Sequence, residues 1–370
     1  MSPAVIPIAM VLSVGGLLLL CRPYLEVSRP VASAALLAGL ILGPSVTGLV
    51  PAPALAGLEP LLHLAAGWLV LGVSMSWDIG SLRRLGALRF LPLLALAGAF
   101  PAAVAILWPA ALGSDAGGGL ETLLAPFLLA AAIAVCLDPS AARAALLSSA
   151  RPDTATRHAS GLSSLAAGCA LAVSAFVPPG ASTLGAVGLL ARAGWAVGLG
   201  AGLGLIFVAL MRVAQGKGAL LALLLSLALL AQGLADRLAL SPLAVLFVAG
   251  TLLANDGARR EMLGVILQEL ERPFLVALLL LAGASVPLGG VPHGAAPLAA
   301  ATAAFVLGRW IIWTLIGKAG PGSAALPFSP LALVLALQAG GLAGWGGAIP
   351  ALAAASFVLG EAAWIGLRWR

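Results

Sequence analysis

Apolar runs of about 20 residues, separated by short breaks at proline, glycine or charge, occupy most of this chain. A run of that length forms a helix that can cross the hydrocarbon core of a bilayer. Of the 370 residues, 62% are hydrophobic and only 9% are charged, whereas about a quarter of a soluble domain is charged. The runs are rich in alanine and leucine, and open sheets cannot satisfy their backbone in lipid. The sequence therefore excludes a soluble core and predicts an all-α polytopic membrane protein.

The breaks predict thirteen transmembrane helices in a single membrane domain, residues 1–370. A first half covers residues 1–177, and a second half covers residues 188–370. The predicted spans are 3–21, 31–50, 55–77, 88–110, 122–149, 158–177, 188–211, 219–235, 241–254, 268–287, 296–317, 327–347 and 349–368.

The basic residues predict how these spans are oriented. With the spans placed as above, 16 of the 19 Lys and Arg residues fall on one side, and only Arg192 and Arg237 fall on the other. Because basic loops stay in the cytoplasm, we expect an outside amino terminus and a cytoplasmic carboxyl terminus, in a bacterial inner (plasma) membrane. The net charge of +6 is spread among loops and is not clustered with aromatics, so it does not indicate a nucleic acid partner.

Three predicted spans contain glycine or proline breaks. They lie at Gly43-Pro44 in the second span, at Asp138-Pro139 in the fifth span (122–149), and at Gln338, Gly340 and Gly341 in the twelfth span (327–347). Unwound backbone at membrane depth survives only where it lines a cavity or is buried in protein. Each break is therefore either a packing kink or part of a binding site.

Asp138, Arg309 and Glu361 are charged side chains that the predicted spans place well away from the loops, and the first two are site candidates. Intramembrane charges are costly and need a partner or a polar cavity. Asp138 either faces such a cavity or caps the half-helix that begins at Pro139. Arg309 either binds half-helix carbonyls or contributes to a site for a substrate or coupling ion. His63 and Gln232, which are uncharged polar groups in other spans, are expected to be helix-packing groups.

Several segments resemble the monovalent cation:proton antiporter superfamily. Residues 38–49, with the sequence AGLILGPSVTGL, resemble the end of the family's second helix, and Cys136-Leu137-Asp138-Pro139 resembles the Thr-Asp-Pro segment of its unwound fifth helix. Residues 241–250 resemble its ninth helix, and Arg309 falls where the family has a basic residue in the eleventh. The resemblance covers nearly the whole chain.

The resemblance implies an NhaA-like antiporter fold of inverted repeats, in which the broken fifth and twelfth helices cross near the midplane. It implies that Asp138 and Arg309 neutralise the partial charges of the half-helix ends there. It also implies a homodimer that exchanges a monovalent cation for protons across the lipid bilayer.

One departure from the family concerns its sixth helix, where the resembled proteins carry an acidic residue that binds cations and protons in turn. Alignment from the Asp-Pro motif places Ser163 and Ser164 there, and no Asp or Glu occurs between Asp153 and Asp236. A hydroxyl has no accessible pKa for such an exchange. The usual coupling group is therefore absent.

Three functional hypotheses follow. The first is a secondary transporter that moves a monovalent cation, with or against protons, or a small solute by alternating access. Its ion site is formed by Asp138, Ser163, Ser164 and half-helix carbonyls, and an anion-carrying variant uses Arg309. The second is a transport-inactive scaffold or regulatory subunit for another membrane protein. The third, an intramembrane enzyme, is disfavoured because no acid is placed to orient His158 beside the serines. No metal-ligand cluster or cofactor motif is present in the sequence.

Overall fold

The computed structural model describes residues 30–77, 132–133, 136, 154–176, 186–256, 259–287, 329–339, 353–355 and 357–358. Within these ranges every regular element is helical. The helices with described bounds are α1 (Pro30–Leu42), α2 (Ala52–Ser74), α3 (Thr154–Ser174), α4 (Ala186–Val213), α5 (Lys217–Arg237), α6 (Pro242–Asn255), α7 (Arg260–Ala284) and α8 (Pro330–Ala339).

Each of these helices overlaps a span predicted from the sequence. In the part of the chain that the structure describes, three helical segments are long and apolar enough to cross a membrane: Ala52–Ser74, Val187–Val213 and Lys217–Arg237. The helical fold class is therefore confirmed. The number thirteen and the division into two halves stay predictions, because several predicted spans fall outside the described residues.

The first described helix ends earlier than predicted. Helix α1 stops at Leu42, not at residue 50, because Pro44 disfavours helical backbone at the residue before it and lacks an N–H of its own. The chain then turns, and the N–H of Gly48 donates to the carbonyl of Gly43 at 3.0 Å. Gly48 has φ 66°, which glycine adopts without steric cost.

The break at Gly43 is also a packing contact between α1 and α7. A Cβ added at Gly39 would overlap a carbonyl of α7, and one added at Gly283 would overlap a carbonyl of α1. At Gly43 it would lie 2.6 Å from the carbonyl oxygen of Ala284. Small residues at this spacing let two backbones approach closely. The glycines of the AGLILGPS segment thus have a packing role.

Helix α7 is longer than its predicted span of 268–287. It begins at Arg260, so it has additional turns that carry charged residues. Its side toward α2 is fixed by Trp68, whose Nε1 donates to the buried carbonyl of Leu267 at 3.2 Å. The Trp68 ring also stacks on Phe274, with centroids 5.0 Å apart. These contacts set the relative position of α2 and α7.

Helix α6 forms the centre of the described bundle, in contact with α2, α3, α4, α5 and α7. It is nearly all buried, although it has only 14 residues. Glycines of α4 allow the closest approach, because a Cβ at Gly200 would lie 2.6 Å from the carbonyl oxygen of Val245. Helix α8 packs against α2 and α7, which places it beside this core.

Candidate functional site

The first turn of α8 meets the segment that precedes the Asp138-Pro139 motif. The backbone N–H of Ser329 donates to the carbonyl of Cys136 at 3.3 Å, and both residues are buried. The Ser329 hydroxyl accepts a hydrogen bond from the N–H of Leu331 at 3.3 Å, so this serine caps the helix. The positive end of the α8 dipole therefore lies beside residue 136.

Several predicted site residues lie outside the described part of the chain. These are Asp138, Pro139, Arg309, Gly340 and Gly341, and the side chain of Gln338 at the end of α8 is also outside it. Their roles therefore stay predictions. The described neighbours of the motif, Cys136 and Ser329, nevertheless bring the predicted fifth and twelfth spans into contact.

The two serines that replace the family acids lie on α3, which packs against α2 and α6. Ser163 is fully buried, and Ser164 is half-buried. The carbonyl of Ser164 accepts a hydrogen bond from Trp77 Nε1 at 2.8 Å. At the position of the family acids, α3 therefore carries a buried and a half-buried hydroxyl and no carboxylate.

Trp77 is a residue near the site that the sequence reasoning did not single out. Its ring lies against α3 where Gly168 leaves room, since a Cβ there would overlap the indole. It meets Phe247 of α6 edge-on, with ring centroids 5.0 Å apart. Its carbonyl accepts from Asn255 Nδ2 at 3.2 Å. Trp77 thus ties the serine-bearing helix to the central helix.

A second buried hydroxyl pair lies farther along α3. The Oγ atoms of Ser174 and Ser241 are 3.3 Å apart, and Ser174 also donates to the carbonyl of Leu171 at 2.6 Å. Both serines are buried. The hydrogen bond on Ser174 satisfies its donor, so this pair is adequately explained as a contact between α3 and the start of α6.

A cavity of about 670 Å³ lies at the end of the bundle that carries Arg260. We call it the inner cavity, because that end is predicted to be cytoplasmic. Its walls come from the end of α2, the first half of α7 and the start of α8, and they include the charged residues Arg260, Glu261 and Glu271. It reaches Ser329, which caps α8.

A second cavity of about 460 Å³, the outer cavity, lies at the other end of α2. Its walls come from the α1–α2 connection, the first half of α2, the end of α7 and residues 334 and 337 of α8. Glu59 and His63 are the charged or titratable residues among its described lining. His63, expected to be a packing group, therefore lies on a cavity wall, whereas Gln232 is buried in α5 as expected.

A thin layer of apolar side chains separates the two cavities. On α8 the inner cavity reaches Leu331 and the outer cavity reaches Val334, which is about 4.5 Å farther along the helix axis. On α2 the corresponding residues, Trp68 and His63, are about 7.5 Å apart along the axis. The intervening residues are buried, among them Ala65, Ala66, Leu278, Leu279, Ala332 and Leu333.

The described residues thus form the helical bundle of a multi-pass membrane protein, with one cavity at each end of α2. No protein-family model and no curated protein sequence matches the chain. Its fold matches the structure of the sodium proton antiporter MjNhaP1 from Methanocaldococcus jannaschii at pH 8, with a TM-score of 0.69 and 16% identity over 98% of both chains.

An electron microscopy structure of the same antiporter matches with a TM-score of 0.66 and 16% identity, covering 97% of this chain and 96% of the other. At this identity the likeness concerns the fold. The antiporter fold implied by the sequence resemblance is therefore confirmed.

Proposed function

We propose that this protein is a secondary transporter that moves a monovalent cation by alternating access. The observation that carries the proposal is the pair of cavities that approach α8 from opposite ends of the bundle. Along α8 the nearest lining residues of the two cavities, Leu331 and Val334, are about 4.5 Å apart by helix rise. In the proposed mechanism, a displacement of α8 against α2 and α7 transfers access from one cavity to the other.

The charges of the cavity walls support a cation as the substrate. The described lining of the inner cavity carries two carboxylates, Glu261 and Glu271, and one guanidinium, Arg260. The described lining of the outer cavity carries the carboxylate of Glu59. Acidic walls raise the local concentration of cations and lower that of anions. These walls favour the cation transporter over the anion-carrying variant.

The proposed ion site combines Asp138 with Ser163, Ser164 and the carbonyls of the broken fifth and twelfth spans. Its support in the described residues is the contact between Ser329 and Cys136 and the burial of Ser163. Hydroxyl, carboxylate and carbonyl oxygens are suitable ligands for hard cations. Arg309 is proposed to neutralise the carbonyl end of a half-helix beside this site.

We further propose that protons are the coupled ion and that the protein is a homodimer. We also propose that it lies in a bacterial plasma membrane with its amino terminus outside. The proposal assigns no enzymatic activity to the chain.

Flux assays with the purified chain in liposomes test the proposal. We expect uptake of at least one of Na⁺, Li⁺ or K⁺ that is specific to liposomes containing the protein, and we expect Asp138→Asn to abolish it. Uptake of an anion instead would support the variant that uses Arg309. No flux of any ion, together with stoichiometric purification of a second membrane protein, would support the scaffold and contradict transport.

A further inference from the structure

The proposed transport needs a group that exchanges protons with water, and α3 lacks one. Its described side chains include hydroxyls at Ser163 and Ser164, and the sequence has no acid between Asp153 and Asp236. A group that performs this exchange must face a water-accessible cavity and must change charge near neutral pH. Histidine is the side chain most often used for such exchange, and in the described part of the chain one histidine lines a cavity.

That histidine is His63 on α2. It is half-buried in the wall of the outer cavity. Glu59 lies one helical turn closer to the start of α2, and it is exposed and lines the same cavity. Residues four apart on a helix have Cβ atoms about 5–6 Å from each other, so both groups lie on one face. A proton or cation that enters from the outside meets the carboxylate first and the imidazole second.

The other polar residues of the described wall are serines. The α1–α2 connection contributes Ser45, whose hydroxyl donates to the carbonyl of Val286 at 2.8 Å. Helix α7 contributes Ser285, whose hydroxyl donates to the carbonyl of Leu281 at 2.8 Å. These hydroxyls do not titrate in the physiological range.

The remaining described lining residues of the cavity are uncharged. Helix α8 contributes the apolar residues Val334 and Leu337. Asp236 and Arg237 of α5, which also packs against α2, are not among the cavity's described lining residues. Glu59 and His63 are therefore the acid and the base among the described lining residues.

We propose that Glu59 and His63 form a proton-binding site in the outer cavity and supply the proton side of the exchange, an inference that rests on the proposed function. The neutral imidazole of His63 takes a proton from water to become an imidazolium when the cation leaves, and it returns that proton to water when the next cation binds. The Glu59 carboxylate draws protons and cations to the cavity mouth. Since the cavity also touches Val334 and Leu337, the charge of His63 acts beside the helix that is proposed to move.

Cation flux in liposomes, with pH varied from about 5 to about 8 on one side at a time, tests the site because histidine charge changes in this range. We expect native flux to depend on the pH of the outer compartment. We expect His63→Gln to lose that dependence and Glu59→Gln to reduce it. Glu269→Gln is the matched control, since Glu269 is an exposed carboxylate on α7 that is paired with Lys217 and lines neither cavity.

A second measurement follows proton release in weakly buffered detergent solution when Na⁺, Li⁺ or K⁺ is added. The native protein and Glu269→Gln are expected to release protons, and His63→Gln is expected to release none. If His63→Gln and Glu59→Gln both keep the native flux, the native pH profile and the native proton release, the proton site is overturned. The proposed transport function is not affected by that result. Absence of cation-dependent proton release from the native protein would also overturn the site. Absence of flux from the native protein contradicts the proposed function itself.

Discussion

The backbone N–H of Ser329 donates a hydrogen bond to the carbonyl of Cys136 at 3.3 Å, across 193 residues of sequence. The first residue of this pair caps α8, and the second lies two positions before Asp138. The contact therefore joins the start of one predicted broken span to the break of the other. In the proposed mechanism, the ion site is built around this junction.

Two substitutions separate the roles of Ser329. Ser329→Ala removes the cap and is expected to lower the free energy of unfolding by about 0.5–2 kcal/mol. Ser329→Pro removes both the cap and the N–H that contacts Cys136, so it is expected to be the more destabilising of the two. Thermal melting in detergent measures both, with Ser226→Ala, an exposed serine of α5, as the control. Equal melting temperatures for the three variants would show that the contact between Ser329 and Cys136 does not stabilise the bundle.

The glycines between α1 and α7 provide a packing test. Gly39→Ala and Gly283→Ala each place a methyl group against a backbone carbonyl of the facing helix, and the expected loss is about 1–3 kcal/mol of folding free energy. Gly57→Ala adds a methyl group on α2 where no atom lies within 4 Å, so we expect no loss of stability. Equal melting temperatures for the Gly39→Ala and Gly57→Ala proteins would show that α1 and α7 are not in close contact.

Trp77 and Gly168 are expected to be energetically coupled. Gly168→Ala drives a methyl group into the indole, and Trp77→Leu removes the ring that causes the overlap and the hydrogen bond to Ser164. The double variant is therefore expected to be more stable than the two single effects predict, by about 0.5–3 kcal/mol. A double-mutant cycle from thermal or chemical unfolding in detergent measures this coupling. Strict additivity would contradict the contact.

The acidic wall of the inner cavity predicts a selective effect on cation transport. Glu261→Gln with Glu271→Gln is expected to lower the initial rate of cation uptake from the inner side by about tenfold at low salt, and by less at high salt. Glu269→Gln, on the same helix but outside the cavity, is expected to leave the rate unchanged. Initial rates at two ionic strengths measure the effect, and an equal loss in all variants would argue against electrostatic attraction.

The sequence predicted the class of fold well because the signals for it are local. Long apolar runs specify helices in lipid, and α2, α4 and α5 lie within a few residues of their predicted bounds. Two boundaries were wrong. Pro44 ended α1 early, and the charged turns at the start of α7 continue as helix because Leu263, Ile266 and Leu267 bury one side of it.

The site was less accessible to sequence reasoning because cavities arise from packing between distant segments. His63 was expected to be a packing group, since nothing in its own span shows that α7 and α8 leave space beside it. Trp77 lies near the end of α2, where tryptophan commonly anchors a helix at the membrane interface. Only its contact with Gly168, 91 positions away, shows that the partly buried ring packs against α3. The serine pair stays a prediction, made because the motif comparison placed Ser163 and Ser164 where the family has acids.

Alternating access is tested most directly by chemical labelling of one cysteine in each cavity. Leu275→Cys on the inner wall and Leu337→Cys on the outer wall are introduced separately after Cys21, Cys136 and Cys169 are replaced by alanine, with exposed Gln215→Cys as the control. The account predicts that adding the transported cation changes the labelling rates at 275 and 337 in opposite directions and leaves position 215 unchanged. Labelling rates at positions 275 and 337 that rise or fall together, or that do not change when the cation is added, would contradict alternating access.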